Sequence, residues 1–162
     1  MLTPSPAFCA AVAAAPLVRL YYVDAGLFDA LTAGLSLVAA VTRHPTLRHL
    51  ILMNNSVALT GCPAIGAALG LLVAADAHLL TLCISNCELG NDGLLPFIDA
   101  LPRNMRLRRL ECRGNDFTQL SAARLLAAVR ANASLVHLSA AFRINRIPEL
   151  VGAEAVAAAR AL

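Results

Sequence analysis

At 162 residues and 59% apolar composition, the chain has room for one domain with a sizeable core; its apolar excess is alanine and leucine, with aromatics at 4% and no tryptophan. The formal charge is only +3, all thirteen basic residues are arginine, and they are scattered except in RNMRLRRLECR (Arg103 to Arg113), a pattern that argues against nucleic-acid binding through a strongly basic, aromatic-studded face. Five irregularly spaced cysteines (Cys9, Cys62, Cys83, Cys87 and Cys112) form no CxxC pair, which excludes a zinc knuckle or thioredoxin-type motif and predicts reduced, buried thiols in a cytoplasmic protein.

The first sixteen residues, with TPSPAFCAAVAAAP at their centre, predict an N-terminal capping helix. They carry no charged side chain, but without a basic n-region they do not read as a secretory signal. From Leu17 a template of the form L-x-x-L-x-L-x-x-N runs through residues 17–146. LVRLYYVDA places Leu17, Leu20, Tyr22 and Ala25 in the four slots, and LRHLILMNN places Leu47, Leu50, Leu52 and Asn55 there. LLTLCISNC supplies Leu79, Leu82, Ile84 and Cys87, and LRRLECRGN supplies Leu107, Leu110, Cys112 and Asn115. LVHLSAAFR has Leu135, Leu138 and Ala140, with Arg143 breaking the last slot. The copies therefore start near 17, 47, 79, 107 and 135. Each reads as a short strand followed by a turn and a returning helix.

The segments behind the strands repeat as well. Leu27, Val57, Leu89 and Phe117 share one position after the turn, and helical spacing follows in Ile65 with Leu69, Phe97 with Leu101, and Leu125 with Val129. Pro63 and Pro96 fit early helical turns, while Pro102 and Asn132 mark helix ends. SVALTGCPAIGAALGLLVAA (Ser56 to Ala75) is uncharged, has the length of a membrane span and holds Gly66 and Gly70 at GxxxG spacing. Its Thr60, Gly61 and Pro63 read instead as a loop and helix start, so no membrane attachment is expected. Residues 147–162 predict a C-terminal capping helix.

On these five copies the sequence resembles the leucine-rich repeat family, in particular its long-repeat, ribonuclease-inhibitor-like subclass. That resemblance implies an α/β leucine-rich-repeat solenoid, a right-handed β-α superhelix with parallel strands on its concave face and helices on its convex face. Stacking physics favours the same arrangement, because a single strand–helix unit cannot bury its apolar side alone.

Strand alternation assigns the faces. With Leu50 and Leu52 inward, three outward ladders result: Arg19, His49, Thr81, Arg109 and His137; Tyr21, Ile51, Cys83, Glu111 and Ser139; Val23, Met53, Ser85, Arg113 and Ala141. The surface is apolar at Tyr21, Val23, Ile51 and Met53, and polar at Arg109, Glu111 and Arg113, with Arg19 and His49 between the two in character. These nine residues are the expected docking surface for a partner protein offering an apolar anchor and an acidic group. The expected role is a protein–protein interaction module or scaffold; the alternative is a regulator of another enzyme, such as a small-GTPase activator or an enzyme inhibitor, roles that the resemblance admits. An apolar concave patch also allows a homodimer or a place in a larger assembly.

Catalysis has little support. No Walker loop, dinucleotide glycine fingerprint or HExxH stretch is present, so no cofactor is expected. Cys83 with His49 is the nearest Cys/His pair, but no oxyanion site accompanies it. A metal cluster of Cys83, Cys87 and Cys112 fails on direction, since Cys112 should face the core, Cys83 solvent and Cys87 the turn. The GND stretches at Gly90–Asp92 and Gly114–Asp116 resemble calcium-loop fragments but fit a turn or capping role better.

Overall fold

The computed structural model describes residues 3–28, 30–55, 63–75, 78–140 and 150–161. Strands β1 (Arg19–Tyr21), β2 (His49–Ile51), β3 (Thr81–Cys83), β4 (Arg109–Glu111) and β5 (His137–Ala140) lie side by side in chain order, all parallel. Helices α1 (Pro6–Ala14), α2 (Leu31–Val41), α3 (Pro63–Ala75), α4 (Gly90–Ala100), α5 (Gln119–Ala131) and α6 (Ala153–Ala161) form the second layer, each packed on the next. The molecule is a leucine-rich-repeat solenoid with strands inside and helices outside.

The register follows the leucines. Leu20 pairs with Leu50, Leu50 with Leu82, Leu82 with Leu110, and Leu110 with Leu138. Leu50, Leu82, Leu110 and Leu138 are wholly buried, and so are Leu52, Ile84, Cys112 and Ala140 in the next inward slot. Leu20, in the first strand, is only partly buried. The helical pairs expected behind the sheet, Ile65 with Leu69, Phe97 with Leu101 and Leu125 with Val129, all lie in the core. Burying a leucine side chain stabilises by about 1.5–3 kcal/mol, so stability accumulates layer by layer.

The turns leaving β1 to β4 rest on two asparagines. Asn55 Oδ1 accepts from the Ala25 and Leu27 amides of the preceding repeat (3.3 and 3.0 Å), while Nδ2 donates to the carbonyls of Tyr22, Leu52 and Met53. Asn115 repeats this one layer on, accepting from Cys87 and Leu89 and donating to Ile84, Cys112 and Arg113. Cys87 fills the same slot more weakly, its thiol donating to the Leu52 carbonyl at 3.2 Å. The residue before each slot, Asp24, Asn54, Asn86 or Gly114, has φ between 54° and 62°, a left-handed conformation that Asn, Asp and Gly adopt most readily.

The other end of each repeat carries a second ladder. Asn104 Oδ1 accepts from the Arg106 and Leu107 amides, and Asn132 Oδ1 from Ser134 and Leu135, as the chain enters the next strand. Their Nδ2 groups donate to Val73, and to Leu101 and Asn104, tying each loop to the preceding repeat. At the end of the first repeat His44, 3% exposed, takes this role. Its Nδ1 accepts from the Thr46 and Leu47 amides, and Nε2 lies 3.1 Å from the Val12 carbonyl of α1.

Two expectations change, at Pro96 and in the C-terminal helix. Pro96 lies inside α4, because that helix begins at Gly90, earlier than a proline-marked start suggests. The two GND stretches are not equivalent: Gly114–Asp116 forms the turn, whereas Gly90–Asp92 opens α4. A strand, β6 (Leu150–Gly152), occupies part of the predicted C-terminal helix 147–162 and pairs antiparallel with β5, so α6 begins only at Ala153. An added strand satisfies backbone groups that the last parallel strand would otherwise leave open. Finally, the GxxxG pair of α3 is a helix-packing device, with Gly66 set against the backbone of Asp92 and Gly93, and Gly70 against Pro96. Val57, Ala141 and Arg143 lie outside the described residues.

Candidate protein-binding surface

The described members of the three ladders lie on the concave side of the sheet. The paired register Arg19–His49–Thr81–Arg109–His137 sets the first row, and Tyr21–Ile51–Cys83–Glu111–Ser139 the second. Strands about 4.8 Å apart spread each row over roughly 19 Å. In the third row, the Asp24, Asn54 and Asn86 amides donate to the Met53, Ser85 and Arg113 carbonyls, continuing the same alignment beyond the strands.

Tyr21 is the most prominent apolar group on this face, 62% exposed; Val23, Ile51 and Met53 beside it are half-buried. The N-terminal helix covers Tyr22 instead, through a tilted ring contact with Phe8 at 6.0 Å, so it leaves Tyr21 open. Arg19 and Arg109 are exposed, and His49, Glu111 and Arg113 are half-buried. Arg109 Nε donates to Glu111 Oε1 at 2.6 Å, so part of its charge is already met within the chain. His49 Nδ1 lies 3.0 Å from Thr81 Oγ1. Burial lowers the His49 pKa, with the positive charge of Arg19 adding to the effect. His137 is lowered by burial and Arg109 and partly restored by Glu111. Both shifts favour neutral imidazoles, leaving the guanidiniums as the positive charges of this face.

Cys83 corrects an expectation. Its position in the ladder is concave, as alternation requires, yet it is only 2% exposed, and Ser85 and Ser139 nearby are also buried. Burial on this face therefore falls on Cys83, Ser85 and Ser139, while Tyr21, Arg19 and Arg109 stay exposed. Burial raises the Cys83 thiol pKa, and Glu111 adds to that more weakly against hydrogen bonding from Ser85. Burial also pushes the Cys87 thiol up to about 12 and raises that of Cys112. Thiols held protonated in this way are poor nucleophiles and poor metal ligands at neutral pH. Among the described residues no group of three His, Cys, Asp or Glu side chains could hold a metal ion, and Cys9, Cys83, Cys87 and Cys112 are free. No helix among them is long and apolar enough to cross a membrane.

Sequence reasoning missed the second polar ladder, although the signal was present: His44, Asn104 and Asn132 each stand three residues before a template leucine. It also missed the burial of Cys83, Ser85 and Ser139 on the concave face.

No family model matches the chain, and no curated protein matches it. Solved structures do. The tropomodulin C-terminal domain of Caenorhabditis elegans superposes with a TM-score of 0.74 at 13% identity, covering 97% of this chain and 92% of that one. The actin-binding site 2 of leiomodin-1 superposes with a TM-score of 0.71 at 12% identity, covering 94% and 85%. These matches replace the ribonuclease-inhibitor-like subclass inferred from repeat length, which they do not support; step length alone does not distinguish subclasses that share a strand–turn–helix unit. At such low identity the likeness is one of fold: this chain has the leucine-rich-repeat architecture seen in the tropomodulin and leiomodin-1 domains.

Proposed function

We propose that the chain is a protein-recognition module that holds a partner protein on its concave face and works by binding, without catalysis. The observation that carries this reading is Tyr21, 62% exposed in the first strand of an in-register sheet, with Ile51 beside it, half-buried Met53 near by, and exposed Arg19 and Arg109 on the same face. Aromatic, Met and Arg side chains are the groups enriched where proteins meet, and a rigid parallel sheet presents them with little ordering cost. Buried, protonated thiols and a concave face without a nucleophile–base pair support binding over chemistry. Free buried cysteines support a reducing compartment such as the cytoplasm.

Actin is the first partner to test, because the leiomodin-1 domain of like fold is described as an actin-binding site. Fold likeness does not by itself transfer a partner, so the decisive experiment is on this chain's own residues. Binding to actin, and capture of proteins from a native extract, should be compared for the parent and a Tyr21→Ala, Met53→Ala, Arg109→Ala variant. Loss of about tenfold or more in affinity, with an unchanged melting curve, is the expected result. A partner that binds parent and variant equally refutes the concave-face assignment. Regulation of a partner enzyme is the alternative reading; it predicts that the bound partner's turnover changes, whereas a scaffold leaves it constant.

A further inference from the structure

A fourth aligned row lies just before the strands. The Arg48 amide donates to the Val18 carbonyl, Leu80 to Arg48, Arg108 to Leu80 and Val136 to Arg108, each at 2.8 or 2.9 Å. Aliphatic and arginine side chains therefore alternate along the edge where helices return to the sheet. Val18 and Val136 are 53% and 52% exposed, Arg108 is exposed, and Arg48 and Leu80 are half-buried. The alternation recurs five positions earlier: Arg43 and Arg103 stand four residues before Leu47 and Leu107, where the other repeats have Ala13, Ala75 and Ala131. Residues 15–19, 42–49, 78–81, 103–109 and 132–137, which make up this edge, hold seven arginines and no acid. Exposed Arg19, Arg43, Arg103, Arg106 and Arg108 meet no carboxylate among the described residues. The opposite edge is acidic, with exposed Asp24, Glu88, Asp92 and Asp116.

We propose that this edge is a second docking site, separate from the Tyr21 patch, and that its occupant is an acidic amphipathic helix of a partner protein. Charge selects the partner: a guanidinium takes a carboxylate through two parallel hydrogen bonds, and the edge offers several guanidiniums with none of the chain's own carboxylates among them. Spacing selects the helix. Strands about 4.8 Å apart set Arg48 and Arg108, two strands from one another, about 10 Å apart along the row. A helix rises about 1.5 Å per residue, so positions i, i+3 or i+4, and i+7 share a face and advance by roughly 5 Å per step. A stripe that reads apolar, acidic, apolar, acidic, apolar thus keeps step with Val18, Arg48, Leu80, Arg108 and Val136. Exposed Met105, 63% accessible, adds apolar contact beside the arginines. Nucleic acid fits less well, because these segments contain no Phe, Tyr or Trp on which bases could stack. Lipid also fits less well: interfacial anchoring relies on Trp, Phe or Leu, whereas the large exposed apolar groups of this edge are Val18, Met105 and Val136.

Fluorescence anisotropy tests the proposal with a labelled helical peptide of about 20 residues, Leu and Glu alternating at every third or fourth position and Ala and Gln elsewhere. The parent should bind it with a Kd on the order of tens of micromolar at about 50 mM salt, and about tenfold more weakly at about 300 mM. The Arg43→Gln, Arg103→Gln variant loses two exposed side chains that make no hydrogen bond among the described residues, so its melting curve should be unchanged while affinity falls about tenfold. Arg48→Gln with Arg108→Gln should weaken binding at least as much, and Tyr21→Ala should bind like the parent. The same peptide with Gln in place of Glu should bind about tenfold more weakly. No binding of the acidic peptide at about 1 mM overturns the proposal, as does affinity unchanged in both arginine variants or lost in Tyr21→Ala. Tighter, arginine-dependent binding of oligodeoxythymidylate or of phosphatidylserine vesicles would overturn it in favour of nucleic acid or lipid. Salt-sensitive self-association in sedimentation velocity, abolished by Arg43→Gln with Arg103→Gln, would overturn it in favour of the acidic edge of a second copy.

Discussion

Replacing Gly66 with alanine sets two effects of known sign against each other. An alanine inside a helix is favoured over glycine by about 1 kcal/mol, so propensity alone predicts a more stable protein. The packing predicts the reverse. A Cβ at Gly66 would stand 2.6 Å from the Asp92 carbonyl oxygen and 2.8 Å from Gly93 Cα, where ordinary contact begins at 3.4 Å. The opposing atoms are backbone, held in α4 on both sides, so no side chain can swing away and α3 and α4 must part by about 0.8 Å. Overpacking of this kind costs about 1–3 kcal/mol, and separating the helices opens the contacts of Ile65 and Phe97 as well. The net expectation is a loss of up to about 2 kcal/mol, a fall in Tm of up to roughly 8 °C for a chain of this size. Thermal and urea unfolding followed by circular dichroism measure it. Ala67→Gly on the exposed face of α3 is the control, expected to lose about 1 kcal/mol through propensity alone. A Gly66→Ala protein melting at or above the parent would refute the close approach of these helices.

His44→Ala removes the acceptor for the Thr46 and Leu47 amides and the partner of the Val12 carbonyl in a buried loop, so urea unfolding should register a loss of about 2–4 kcal/mol. His44→Asn should stay within about 1 kcal/mol of the parent, because Asn104 and Asn132 make the equivalent bonds; equal damage from both variants would show that the slot does not act through these hydrogen bonds. The Cys87 thiol, ordinarily near 9.0 and pushed up to about 12 by burial, contributes stability that is complete below pH 9 and is lost as pH rises toward 12. Chemical denaturation across that window should show stability falling, with a shallower fall in Cys87→Asn; identical slopes would remove Cys87 as a source.

Much of this protein was legible in the order of its residues. Leucines at 47, 50, 79, 82, 107 and 110 recur in phase, and a repeating phase admits few solutions other than stacked, in-register layers. The ladders Arg19–His49–Thr81–Arg109–His137 and Tyr21–Ile51–Cys83–Glu111–Ser139 followed from alternation alone, because strand side chains have a period of two. Tertiary structure decided what alternation does not encode. It buried Cys83 on the concave face while leaving Tyr21 of the same row exposed, because burial depends on the neighbours a side chain meets and not on its face alone. The close approach of α3 to α4 gave the GxxxG spacing its role, because Gly66 and Gly70 each admit the neighbouring backbone. The strand at Leu150–Gly152 was equally hidden: a short apolar segment takes the conformation that its neighbour's open edge can satisfy, and only the assembled sheet supplies that edge.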